Sequence, residues 1–139
     1  MNILVIDAQG GGLGKQLITA LKKNFPDMDI TAVGTNTMAN GVMLKAGASH
    51  AATGENAVVV GCRKADIIIG PLAIVIADSM FGEITPAMAL AVAQSNAKRI
   101  LIPFNHCDNI VVGIHDYNVT ALIQEAIEEV TKTLPPRQP

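Results

Sequence analysis

A continuous apolar run, Ile3-Leu-Val-Ile6, stops at Asp7 and opens into Ala-Gln-Gly-Gly-Gly-Leu-Gly14. Consecutive apolar residues bounded by a glycine-rich turn describe a strand buried on both faces, the pattern of a parallel sheet. Behind the glycines, Leu13, Leu17, Ile18, Leu21 and Phe25 recur at helical spacing, with Lys15, Lys22 and Lys23 on the other side. Pro26 closes that helix, and Ile30-Thr-Ala-Val33 makes a second strand stopped by Gly34. Residues 3–34 are therefore a β-α-β unit, with parallel strands and a right-handed crossover.

The alternation continues. A helix spans roughly Met38 to Lys45 and ends at Gly47, and a very short strand lies around Ser49–Ala52. Thr53 can cap a helix beginning near Glu55, although Ala57-Val-Val-Val60 within it is β-branched and equally suits a strand. Asp66-Ile-Ile-Ile-Gly-Pro71 is a strand, and within Leu72 to Ile84 the stretch Leu72–Ala77 reads as either a further strand or a buried loop. Thr85-Pro86 then supplies an N-cap and a first-turn proline. The helix behind it, Ala87 to Ala93, is apolar on every side and needs cover all round, most simply from a second subunit. Lys98 to Pro103 is the next strand, Ile110-Val-Val112 a short edge strand, and Val119 to Leu134 a last amphipathic helix. The expectation is a single doubly wound α/β domain over residues 1–134, a Rossmann-like three-layer αβα sandwich. Its sheet is mostly parallel with five to six strands, and a proline-rich tail over 135–139 is disordered.

Composition fits this frame and removes several classes of function. Of 139 residues, 50% are hydrophobic and 16% charged, the reverse of a disordered chain. Aromatics make up only 3%, too few for a single-strand stacking platform. The ten basic residues are scattered and the net charge is −2, so no nucleic-acid partner is expected. The longest apolar run, Ile67 to Ala77, falls well short of the ~20 residues of a membrane span. Cys62 and Cys107 form no C-x-x-C and read as reduced thiols. A cytoplasmic protein without membrane association follows, and the apolar helix adds the expectation of a homo-oligomer, dimer or higher.

The glycine-rich turn carries the strongest functional signal. Glycines between a first strand and first helix allow a tight turn and a close approach of phosphate, while the helix N-terminus offers unpaired N–H groups to an anion. The dinucleotide pattern G-x-G-x-x-G fits as Gly10 and Gly12, but Lys15 stands at the third position. The dehydrogenase spacing G-x-x-x-G-x-G fits best, as Ala8, Gly12 and Gly14, lacking only the first glycine. An ATP loop would need glycine at Gln9 and a hydroxyl at Gln16. A tight crossing that binds nothing is the plainer alternative. Asp7 would repel a phosphate unless it caps the loop's own amides.

Sites in open α/β sheets lie outside the carboxyl ends of the strands. That rule gathers Gly10, Gly11, Gly12, Gly14 and Lys15 with Thr35, Asn36, Gly70, Pro71 and Asn105 as candidate ligand-binding residues. Where a dinucleotide site places an acid for the ribose hydroxyl, this chain has Gly34-Thr35-Asn36-Thr37. With no acid there, a 2′-phosphate is tolerable, which favours NADP over NAD. Thr35 and Asn36 serve equally well as a turn and helix cap. If unstructured, Leu72 to Ile84 is a lid holding Asp78, Ser79 and Glu83, with Glu83 otherwise favouring the following helix N-terminus. Cys107 beside His106 is the only candidate nucleophile, and a structural thiol explains it as well. His50 and His115 show no ligand spacing, so no metal is expected.

Val5 to Lys15, Thr53 to Ala57, Ala65 to Pro71, Ala77 to Ser79, Gly82 to Pro86 and Ile102 to Asn105 together resemble a bacterial family of short Rossmann-like proteins, a domain of unknown function. The resemblance covers nearly the whole chain and implies a cytoplasmic Rossmann-like fold, without supplying a reaction. In that family glycine stands where this chain has Ala8, whose methyl crowds the tightest part of the turn. The leading expectation is a small domain binding a nucleotide, dinucleotide or other phosphorylated ligand at Gly10–Lys15, with catalysis open. The alternative is a non-enzymatic ligand sensor or interaction module whose glycine loop is structural.

Overall fold

The computed structural model describes residues 1–104, 108–115 and 118–136. Five strands form one parallel sheet: β1 (Asn2–Asp7), β2 (Asp29–Gly34), β3 (His50–Thr53), β4 (Ile67–Pro71) and β5 (Lys98–Ile102). Their order is β3-β2-β1-β4-β5, so successive crossovers run one way from β1 to β3 and then jump back to β4. The reversal puts the switch point between β1 and β4, where Ile3, Leu4 and Val5 face Ile67, Ile68 and Ile69 in register. A doubly wound sheet opens its ligand crevice at that point.

Alternation along the buried strands assigns the two helical layers. Ile3 and Val5 point to one face and pack with α1 (Gly12–Asn24), α2 (Thr37–Lys45) and α5 (Val119–Thr133). Leu4 and Ile6 point to the other and meet α3 (Glu55–Lys64) and α4 (Pro86–Gln94). The three-layer α/β architecture follows from apolar residues on both faces of every central strand.

Of the two alternatives for Ala57–Val60 the structure takes the helix, because Val58 and Cys62, one turn apart, enter the core together and tertiary packing overrides β-branched preference. Two local expectations are corrected. Gly54, not Thr53, is the N-cap of α3, at φ 101°, and Thr53 instead ends β3. Ile110–Val112 forms no strand: Ile110 and Val112 are 87% and 89% exposed, with no neighbouring strand to pair. Among the described residues the sheet has five strands, within the five to six expected. In Leu72–Ile84 the structure takes the buried loop of the two alternatives, and the segment is no free lid. It opens with a 3-10 turn over Leu72–Val75 and buries Ala73, Ile74, Ser79, Met80 and Ile84.

Helix α4 settles one question about cover. Met88, Ala89 and Val92 are buried against the sheet layer, whereas Pro86, Ala87, Leu90 and Ala93 are exposed. No helix among the described residues is long and apolar enough to cross a membrane.

Candidate functional site

The turn leaves β1 at Asp7, passes through Gln9 at φ 51° and Gly11 at φ 75°, and enters α1 at Gly12. The buried Asp7 carboxylate holds this turn from inside. Its Oδ1 accepts from the Ala8 amide at 2.8 Å and its Oδ2 from the Gly14 amide at 2.7 Å. Asp7 thus caps the loop's own amides. Burial raises its pKa, the two amide bonds work against that rise, and the charge of Glu83 adds to it.

The four glycines divide into two pairs. A Cβ on Gly11 would lie 2.8 Å from Ala39 Cα, and one on Gly14 would lie 2.5 Å from Met43 Sδ. These two are glycine because α2 crosses closely over the start of α1. A Cβ on Gly10 or Gly12 would meet nothing within 4 Å, and neither residue has a left-handed φ. No contact or conformation of the protein demands glycine at Gly10 or Gly12. The amides of Gly10, Gly12 and Leu13 also make no hydrogen bond to any described residue.

These residues line a cavity of about 180 Å³, together with Gln16, Met80, Phe104 and Val119. It lies at the carboxyl edge beside the switch point. A larger cavity of about 530 Å³ separates α3 from α4, and another of about 380 Å³ lies at the amino ends of β1, β2 and β3. Neither contains an open glycine turn.

The decisive residue on the β2 side is Glu83. Its Oε1 accepts from the Gln9 amide at 2.9 Å, from Thr35 Oγ1 at 2.7 Å and from Asn36 Nδ2 at 2.8 Å. Burial opposes its ionisation, but those three donors prevail and hold its pKa below the usual value. Asn36 Nδ2 also donates to the Gln9 carbonyl, and Asn36 Oδ1 accepts from the Ala39 amide as the N-cap of α2. Gln9 is therefore gripped through both its N–H and its C=O, which fixes a left-handed conformation unusual for a side-chain-bearing residue.

This geometry redistributes the expected site residues. Gly10, Gly11 and Gly12 line the cavity. Gly14 packs beneath it and its amide is taken by Asp7. Lys15 is exposed and does not line the cavity. Thr35 and Asn36 donate to Glu83, and Asn36 also caps α2. Gly70 and Pro71 are buried in β4, where a Cβ on Gly70 would lie 2.5 Å from the Ile6 carbonyl oxygen. That glycine serves strand packing. Asn105, His106 and Cys107 lie outside the described residues.

A carboxylate, that of Glu83 from the β4–α4 connection, stands beside Thr35 and Asn36 after β2. Glu83 is also too engaged to favour the start of α4. Sequence reasoning did not place Gln9, Gln16, Met80 or Phe104 among the ligand-binding candidates; Gln9 and Gln16 entered only as departures from an ATP loop, and no local pattern marks Met80 or Phe104. Cys62 is buried, and burial pushes its thiol up to about 11, which leaves it unreactive. His50 lies against Asp29 at 3.5 Å, at the opposite edge of the sheet. Among the described residues no group of three or more His, Cys, Asp or Glu side chains could hold a metal ion.

The family model described as Domain of unknown function (DUF3842) matches residues 2–135. The chain belongs to that family. No curated protein matches it. A crystal structure of a dodecameric FMN-dependent UbiX-like decarboxylase from Escherichia coli O157:H7 is similar over 100% of this chain and 99% of that one, at 16% identity and a TM-score of 0.48. Membership of the family names no ligand.

Proposed function

We propose that this protein holds the phosphate group of a small phosphorylated ligand on the amides of Gly10, Gly12 and Leu13. The observation that carries the reading is the open space over Gly10 and Gly12, combined with amides at the start of α1 that make no hydrogen bond to any described residue. Backbone bare of Cβ atoms beside unsatisfied N–H groups is what a phosphate oxygen needs to come within hydrogen-bond distance. Leu13, Met80, Phe104 and Val119 would then shelter the apolar part of the ligand. A volume of about 180 Å³ lies below the ~300 Å³ at which drug-sized sites begin, so the ligand is short.

Thermal shift with inorganic phosphate, phenyl phosphate, NAD and NADP tests the reading. A ligand at ~100 times its Kd adds ~2.7 kcal/mol. For 139 residues the unfolding entropy is ~0.29 kcal/mol/K, so the midpoint rises by ~9 °C. Gly12→Val should remove the shift. A flat response to every phosphorylated compound would sink the proposal.

A second reading, self-association, is favoured by α4. Its outer face, Ala87, Leu90 and Ala93, carries no charge, and Leu90 is 55% exposed. Such a face is most simply covered by another copy of the chain.

A further inference from the structure

We infer that Glu83 sets the length of ligand the site admits, closing the crevice on the β2 side so that a short phosphoester enters and the nucleoside half of a dinucleotide does not. The inference rests on the phosphate reading above and adds to it the residue that limits the ligand. A dinucleotide laid over a glycine turn runs outward across the end of β2, where its ribose hydroxyls meet an acid. Here that path is already filled. Glu83 Oε1 takes three donors from two separate loops, the Gln9 amide, the Thr35 hydroxyl and the Asn36 amide group. A ribose hydroxyl approaching Oε1 would compete with donors already in place.

The residues on either side of Glu83 complete the closure. Met80 and Ile84 are 4% and 0% exposed and pack in one cluster with Ala8 and Val33, over the ends of β1 and β2. The chain leading to Glu83 turns sharply, with Asp78, Met80 and Phe81 all at left-handed φ values of 64°, 56° and 57°. Side-chain-bearing residues keep such angles only where their surroundings hold them. The Met80 side chain is held by packing and Glu83 by its three donors, while Phe81 between them is fully exposed. Freeing Glu83 therefore releases one of two anchors of a strained segment, and the crevice opens toward β2.

The test compares phenyl phosphate and NAD on the full-length protein and on Glu83→Ala, Glu83→Gln and Thr35→Val, by titration calorimetry and amide hydrogen exchange. Wild type should bind phenyl phosphate at least tenfold tighter than NAD. Glu83→Ala should bring NAD to within threefold of phenyl phosphate and speed exchange at Gln9 at least tenfold. Glu83→Gln keeps an acceptor oxygen in place and should lie nearer wild type. Thr35→Val removes one donor only and gives a smaller change in the same direction, which keeps the comparison available if Glu83→Ala does not fold. Wild type binding NAD as tightly as phenyl phosphate would overturn the inference while leaving the phosphate reading standing, and would make Glu83 a ribose acceptor instead. Unchanged Gln9 exchange in both Glu83→Ala and Thr35→Val would overturn it too. If wild type and variants bind neither compound, the phosphate reading falls and takes the inference with it.

Discussion

Alanine at Gly11 and alanine at Gly12, adjacent residues of one turn, should shift stability in opposite directions. At Gly11 the new Cβ would sit 2.8 Å from Ala39 Cα and 3.0 Å from the Ala39 carbonyl oxygen. Both are backbone atoms of α2, so no rotamer change relieves them. Overpacking of this kind costs ~1–3 kcal/mol. The left-handed φ of 75° adds ~1–2 kcal/mol for any residue with a Cβ. The sum, ~2–5 kcal/mol, lowers the midpoint by ~7–17 °C at the ~0.29 kcal/mol/K that 139 residues imply.

At Gly12 the Cβ meets nothing within 4 Å and the residue begins α1. The smaller entropy of the unfolded chain then stabilises by ~0.4–1 kcal/mol, a rise of ~1–3 °C. Gly14 lies between these cases. Met43 Sδ at 2.5 Å is flexible, and the ~1–3 kcal/mol of overpacking is offset by ~1 kcal/mol of helix propensity. Calorimetric melting of all four alanine variants, repeated with phenyl phosphate, is the assay. Gly10→Ala and Gly12→Ala should melt at or above wild type and lose the ligand-induced rise. Were Gly12→Ala to fall as far as Gly11→Ala, the division of the glycines would be wrong. Were it to bind as well as wild type, the openness of the turn would have nothing to do with a ligand.

Three further outcomes follow from the acids and from α4. Asp7→Asn can satisfy only one of the Ala8 and Gly14 amides and sets an N–H against the other, which costs ~1–3 kcal/mol before any relief from burying a charge; a melting point unchanged or raised in calorimetry would contradict this. The two carboxylates should tilt the acid limb of the stability curve in opposite senses. Glu83 has a folded pKa below its ordinary 4.5, so its contribution is complete above that value and is lost as pH falls through the folded one. Asp7 has a folded pKa above 3.8, so its charge costs stability increasingly as pH rises from there, and acidification relieves that cost. Urea titrations from pH 3 to 7 should show the Glu83→Gln deficit shrinking toward low pH; a deficit constant across that range would refute the direction for Glu83. Finally, Leu90→Glu should convert an oligomer to the 14.5 kDa monomer in light scattering, and a monomeric wild type would end that reading.

The parts of this molecule legible in its sequence are those set by neighbours along the chain. Ile3–Ile6 and Ile67–Ile69 read as buried parallel strands because apolar residues without alternation have no solvent face. Asp7 read as either a repellent or a cap, and its place one residue before a turn full of free amides made the cap available. Glu83 was not legible in its true role. Its partners Gln9, Thr35 and Asn36 lie 74, 48 and 47 residues away, and no spacing rule reaches that far. The same holds for the glycines. Gly11 and Gly12 look alike in sequence, and only the approach of Ala39 on α2 and the left-handed φ of Gly11 separate them. Ile110–Val112 failed for a related reason, since an apolar triplet becomes a strand only if another strand lies alongside.

The charge balance at the turn decides what kind of ligand can bind. Two unit charges ~6 Å apart at an effective dielectric of ~20 interact by ~2.8 kcal/mol. A phosphate held at that range from both Asp7 and Glu83 would meet ~5–6 kcal/mol of repulsion. Three amide bonds to a charged acceptor return ~1.5–3 kcal/mol each, so attraction and repulsion nearly cancel. Asp7 has moreover taken the Gly14 amide and with it part of the favourable field at the start of α1. Lys15, exposed and outside the cavity, acts only through solvent with a screening length of ~8 Å. Binding therefore cannot come from the phosphate alone. Surplus affinity has to come from apolar contact with Leu13, Met80, Phe104 and Val119, at ~25 cal/mol for each Å² buried. Phenyl phosphate should bind well over tenfold tighter than inorganic phosphate, and added salt should weaken it little, because attraction and repulsion are screened together. Equal affinity for the two compounds would mean that the apolar lining contributes nothing and that the electrostatic balance drawn here is wrong.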